Sequence, residues 1–359
     1  MTNGSTRKIV GIAFALAVLI AAGQMGGVLG PTSAANETIE GVRTDAALPV
    51  SDPASGAWER ARAVEVTLSG QPLVAPTRPL PSVPSLSVRV LLNDTYAAFR
   101  LSWQDATKDN RTTKDAEFRD AVAILFGPAD ATPFICMGGP GKDLHVAQWK
   151  ADWQADLDEG FRDLEHAYPN FWVDYYPYSI GGPPYHLPEA FPESARVYLP
   201  GWYVGNPFSD PLRVTPVEEG IAQGFGTLAT QASQDALGRG VHEGAGWSVV
   251  ISRRLDSGDA EDIPIQPGMI LAFAVWDGAT GDVGSRKSVS SWISFTVVTE
   301  TPVLSLVLAG GLVLLIVMVV VVMLLGRRKR RREESGGMAE SSTPAEENRI
   351  APREKEPGG

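Results

Sequence analysis

Met137 and Lys287 are the residues of this 359-residue chain whose types and settings could do the most distinctive chemistry. A thioether is a soft, neutral donor to a metal. An amine is a neutral donor once it has lost its proton. One of each on opposite faces would suit an iron porphyrin. Met137 is followed by Gly138-Gly139-Pro140-Gly141, a turn that lets backbone approach a flat ligand closely. Lys287 precedes Ser288-Val289-Ser290-Ser291-Trp292, which enters a strand pattern, so its side chain could project from a sheet rim. The plainer reading makes Met137 a core residue and Lys287 a surface one, as most methionines and lysines are.

Other donors lie near. His145 follows Met137 by eight residues and is the alternative ligand, histidine being the commoner partner of haem iron. Cys136 is the only cysteine, which excludes an intrachain disulfide, a C-x-x-C-H attachment and any cysteine-rich zinc or iron–sulfur site. A cofactor would therefore be held noncovalently. Trp149, Trp153 and Trp292 could wall a pocket or fill a core, and Arg119 and Lys150 could pair with acidic groups of a ligand or with neighbouring carboxylates. No G-x-S-x-G, H-E-x-x-H, Walker or dinucleotide fingerprint occurs.

The elements that must position these residues read as short strands. The alternation Ser87-Val88-Arg89-Val90 and Ala98-Phe99-Arg100-Leu101-Ser102-Trp103 marks half-buried strands, while 121–126 and 270–275 are apolar throughout and suit a sheet centre. Strands are expected at 64–68, 86–92, 96–103, 121–126, 145–149, 247–252, 270–275 and 291–298, with a turn at Leu92-Asn93-Asp94-Thr95. Few helical periods appear, the plausible ones being 216–229 and 231–237. The expected fold is mostly β, an antiparallel β-sandwich. Between Asp156 and Gly246 many prolines and aromatics predict long irregular loops, ordered and packed over one face.

The chain ends carry targeting signals. Arg7 and Lys8, the apolar run 9–22 and a small-residue stretch to Ala35 resemble a secretory signal over residues 1–35, or an uncleaved anchor. Residues 303–325 contain no charge and are long enough for a transmembrane helix. Six basic residues, 327–332, follow at once and predict a cytoplasmic C-terminus, a body outside the cytoplasm and a disordered tail over 326–359. The expected localisation is the cell membrane, single-pass. Residues 36–301 hold 20 basic and 35 acidic residues, a net −15, which argues against a nucleic-acid partner.

Three segments, Phe118–Ala123, Pro133–Gly138 and Trp149–Gln154, resemble in order the haem b subunit of the ethylbenzene dehydrogenase and dimethyl sulfide dehydrogenase family. Gly246–Val250, Ala272–Gly278 and Lys287 through Trp292 continue that resemblance, which covers most of 64–298. It implies a β-sandwich holding one noncovalent haem b between a methionine and a lysine, here Met137 and Lys287, with Trp149 and Trp292 beside them. It implies an electron-transfer subunit and not a catalyst, partnered by an iron–sulfur subunit and a molybdopterin catalytic subunit. The C-terminal apolar segment departs from the soluble members. A carbohydrate-binding or adhesive β-sandwich on a membrane stalk is the reading from a different class: its aromatics would stack sugars and it would need no haem.

Overall fold

The structure is a computed structural model that describes residues 38–128, 137–139, 143–162, 164–174, 176–182, 188, 190–299 and 303–337. The proposed signal segment, Cys136 and residues 338–359 lie outside the described residues. The chain divides into two compact units, Met1–Thr299 and Glu300–Gly359.

Among the described residues the first unit is built on one mixed sheet of fourteen strands. In chain order they are β1 (Thr38–Arg43), β2 (Val64–Thr67), β3 (Ser69–Gly70), β4 (Ser85–Leu92), β5 (Tyr96–Gln104), β6 (Ala121–Gly127) and β7 (Leu144–Lys150). There follow β8 (Val217–Ala222), β9 (Ala229–Thr230), β10 (Leu237–Glu243), β11 (Gly246–Arg254), β12 (Ile270–Trp276), β13 (Ser288–Val289) and β14 (Ile293–Thr299). The main order is β10-β11-β5-β4-β1-β14-β12-β6-β7-β8-β9. Every pairing is antiparallel except those of β1, which runs parallel to both β4 and β14. The expectation of an antiparallel fold is corrected at that strand: the sheet is mixed, and β1 alone joins its two halves along that order.

The halves face each other across one core. Phe99 of β5 packs edge-on to Phe126 of β6 at 5.6 Å, and Trp149 of β7 meets Trp247 of β11 at 4.9 Å. Period-two alternation explains the sidedness. In β6, Val122, Ile124 and Phe126 point into this core, and Ala121 and Ala123 belong to a cluster on the opposite face. The β4–β5 hairpin is fixed by Asn93, whose Oδ1 accepts the Thr95 and Tyr96 amides at 2.9 and 2.8 Å. Replacing Asn93 with alanine should cost about 1 kcal/mol, read as a lowered urea midpoint with an unchanged slope.

All eight expected strands form. The helices expected at 216–229 and 231–237 do not: β8 and β9 occupy the first stretch, and the second is coil leading into β10. Tertiary contacts decide this. Val217 joins the core, and Glu219 beside it reaches into a buried ion network. The stretch between Asp156 and Gly246 is therefore loops and short helical turns up to Pro216 among the described residues, and beyond it coil alternates with β8, β9 and β10. Sequence reading also missed β10 because it carries Gly238 and Gly240. A Cβ on Gly240 would lie 2.4 Å from the Trp149 ring, so the glycine that weakens the strand signal is what lets the indole fit.

Among the described residues the second unit is the helix Val303–Gly337. The side chains described in it are those of residues 311 and 314–332, and among the described residues no helix is long and apolar enough to cross a membrane.

Candidate functional site

The outer face of the β12–β6–β7–β8 sheet carries a small apolar cluster of its own. Ala121, Ala123, Leu144, Val146, Ala222 and Trp276 form it, with Leu125, Met137, Ala274 and Trp292 packed against it. The register explains its flatness. Ala123 stands opposite Ala274 on β12, and Ala121 opposite Trp276, so two neighbouring strands present methyl groups side by side on this face.

Met137, half-buried, packs onto this floor from the segment joining β6 to β7. Gly138 follows it with φ 86°, a left-handed conformation that a side chain would strain. Lys287 reaches the same cluster through Trp276, its Nζ 4.9 Å from the centre of that ring. The stretch that delivers it is pinned where Ser288 and Val289 pair with β12 and with Gly70 and Ser69 of β3. Met137, Lys287 and Trp292 are thus gathered around one alanine-floored surface. Small residues at alternate positions of two adjacent strands, Ala121/Ala123 and Ala272/Ala274, were the sequence signal that reading strand by strand did not use.

Trp149 is placed otherwise. It lies on the inner face of β7, fully buried, with its Nε1 donating to Gln154 Oε1 at 3.0 Å. His145 is inward too. Its Nδ1 lies 2.8 Å from Asp262 Oδ1 and its Nε2 3.4 Å from Glu219 Oε1. Arg253 closes this network, with Nη2 2.8 Å from Asp262 Oδ2. Burial pushes the Asp262 carboxyl up, but hydrogen bonds from His145 and Ser257 and the charge of Arg253 outweigh it and hold it well below the usual carboxylate range. His145, the alternative ligand, is therefore committed between carboxylates on the side of the sheet away from Met137.

The two cations considered for acidic ligand groups are also engaged. Arg119 Nη1 lies 2.7 Å from Asp152 Oδ2. Lys150 pairs with Glu218, and its Nζ sits 4.0 Å from the Trp153 ring and 4.2 Å from Phe208. Burial pushes the Lys150 amine down to about 8, partly opposed by Glu218. Lys150 and Ala121 are register partners, so this boxed lysine borders the alanine floor. A cavity of about 470 Å³ opens elsewhere, lined by Trp153, Phe208 and the charged groups Arg111, Asp152, Asp156 and Arg213.

Comparison with known proteins adds to the geometry. Residues 55–288 match the family model described as ethylbenzene dehydrogenase. A putative respiratory nitrate reductase heme subunit, ORF7, of Haloferax mediterranei is 26% identical over 249 residues, covering 68% of this chain and 67% of that protein. Among solved structures, family 9 carbohydrate binding modules from Caldicellulosiruptor kristjanssonii are similar at low level. The one complexed with cellotriose has a TM-score of 0.34 and 7% identity, covering 74% of this chain and 96% of that one. The one complexed with glucose has 0.33 and 8%, covering 73% and 97%. Scores so low carry no argument about fold or ligand.

Proposed function

From the premise that the chain belongs to the ethylbenzene dehydrogenase family, we propose that it is a haem-carrying electron-transfer subunit of a molybdenum oxidoreductase complex. The observation that carries this reading is that Met137 packs on the alanine-floored cluster of β6 and β12 while Lys287 stands over Trp276 of the same cluster. The heme subunit named for the Haloferax relative supports it.

The donor set fits the group. Met137 would supply a neutral thioether and Lys287 an amine, which binds iron only as the free base. Ala121, Ala123 and Ala274 present small side chains on that face, against which a planar ring would lie, and Trp276 and Trp292 would border it. When bound, a haem b with two protein donors supplies one-electron exchange and no open position for a substrate. The chain's own residues would hold and orient that group and exclude water with Trp276 and Trp292. Methionine as a donor favours a raised potential. The partners in this reading are an iron–sulfur subunit and a molybdopterin catalytic subunit. The uncharged stretch 303–325 and the basic run after it would anchor the body at the outer face of the cell membrane.

An absorbance spectrum of the purified body tests the cofactor. A Soret band with sharp α and β bands on reduction is the expected result. A protein that stays colourless after incubation with haemin under reducing conditions would sink the proposal.

A further inference from the structure

A second cluster of chemistry sits at one end of the sheet and takes no part in the site above. Asp105 follows the last residue of β5, Asp120 immediately precedes β6, and Asp277 immediately follows β12. One carboxylate oxygen from each lies within 4.8 Å of those from the other two. Oxygens so spaced can bind a single calcium ion, whose bonds of about 2.3–2.6 Å span up to about 5 Å between ligands.

Asp105 supplies the observation that points to a ligand. Its residue is 7% exposed. Its Oδ1 accepts the Thr107 amide and hydroxyl, at 3.0 and 3.2 Å. Its Oδ2 is buried with no hydrogen-bond partner among the described residues. An ionised oxygen left so is costly unless something positive meets it.

The cations nearby do not play that part. Arg78 is held by Asp282 at 3.2 Å, and His242 Nε2 lies 3.0 Å from the backbone oxygen of Asp105, not its carboxylate. Lys108 is exposed. Asp120 is positioned by three donors: the Gly278 amide on Oδ1, and the Asp109 amide and Trp247 Nε1 on Oδ2. Burial, and after it the charge of Asp105, push the Asp277 carboxyl up. Asp120 is likewise raised, to about 7, by burial, with the Asp105 charge adding to it. Hydrogen bonds from the Gly278 and Asp109 amides and Trp247 to Asp120, and from the Thr280 amide to Asp277, offset only part of this, and Asp105 Oδ2 has no such donor among the described residues.

We propose that Asp105, Asp120 and Asp277 form a calcium site that ties the ends of β5, β6 and β12 together. An all-oxygen, carboxylate-rich donor set selects a hard cation over zinc, copper or iron. The ion would brace the strand ends from which Ala121 and Trp276 begin and end the floor of the first site. Nothing in this inference depends on what that floor carries.

Terbium and calcium test it on the full chain in detergent, stripped of metal with a chelator. Terbium bound here lies beside Trp247, so excitation of tryptophan should give sensitised lanthanide emission that calcium displaces. Calcium should also raise the melting temperature saturably, and Asp105→Asn should weaken both responses by about tenfold or more, as loss of one of three charged ligands does. Wild-type protein giving neither sensitised emission nor a calcium-dependent melting shift overturns the site, whatever the variant does. So does an Asp105→Asn protein that binds calcium as well as wild type, since the ion would then sit on the exposed acidic surface.

Discussion

Under the proposed haem reading, exchange of Met137 for alanine should remove one of the two donors and leave a protein that holds its haem weakly or in a high-spin form. The Soret band is expected to move and the sharp reduced bands to fade. The midpoint potential should fall by something on the order of 0.1 V in whatever fraction keeps the group, a modest part of the roughly 0.8 V that axial donors control. Met137→His is the informative partner. A histidine there should restore a low-spin spectrum at a lower potential, because imidazole favours the oxidised iron more than a thioether does. The fold should not be at issue, since Met137 sits half-buried at the edge of its cluster. A Met137→Ala protein with the wild-type spectrum and potential would remove this residue from the iron. The corresponding exchange at His145 should leave the spectrum alone, because the imidazole lies between Asp262 and Glu219 on the other side of β7.

The second large effect lies in that buried network. Arg253→Leu removes the guanidinium that stands 2.8 Å from Asp262 and leaves Asp262 and Glu219 with one imidazole between them. Breaking a buried pair from one side strands a charge in the core, so a loss of about 3–5 kcal/mol is expected, measured by urea unfolding of the body. The pH dependence follows from Asp262, whose carboxyl is held below its usual range in the fold. Its stabilising contribution is complete above the ordinary carboxylate pKa of about 4 and is lost as pH falls below it, through the folded value. The Arg253→Leu protein should therefore show a shallower loss of stability in acid than the wild type. A destabilisation under about 1 kcal/mol would show that the network is incidental to the fold.

How much of this was legible in the sequence depended on whether a residue's neighbours in space were also its neighbours in the chain. The hairpin of β4 and β5 was readable because alternation and the Asn93 turn are local properties. β8 was misread as helix because the helix-favouring pair Glu218-Glu219 owes its strand geometry to partners far along the chain: Lys150 for one and His145 with Arg253 for the other. β10 was hidden by the glycines that accommodate Trp149. At the candidate site, the resemblance supplied Met137 and Lys287, and their neighbourhood was then found in the register of β6 against β12. Trp149 shared a segment with residues of the site, but strand parity turned it to the opposite face. The aspartate cluster left no local trace, since its members are fifteen and more residues apart and meet only because three strands end together.

The position of β1 has a consequence for how the body comes to be made. Residues 38–43 lie between β4 and β14, and the β14 partners of Thr38–Arg43 are Ser294–Thr299. A strand near the start of the body thus waits for one near its end before the two halves of the sheet are joined. Until then β1, which can already pair with β4, keeps its other edge open, the kind of surface on which chains add to one another. Such long-range closure is slow and exposes the nascent molecule to misassembly. Yield should therefore be limited by the chain's last third arriving and docking, and a shortened product lacking β14 should accumulate as aggregate.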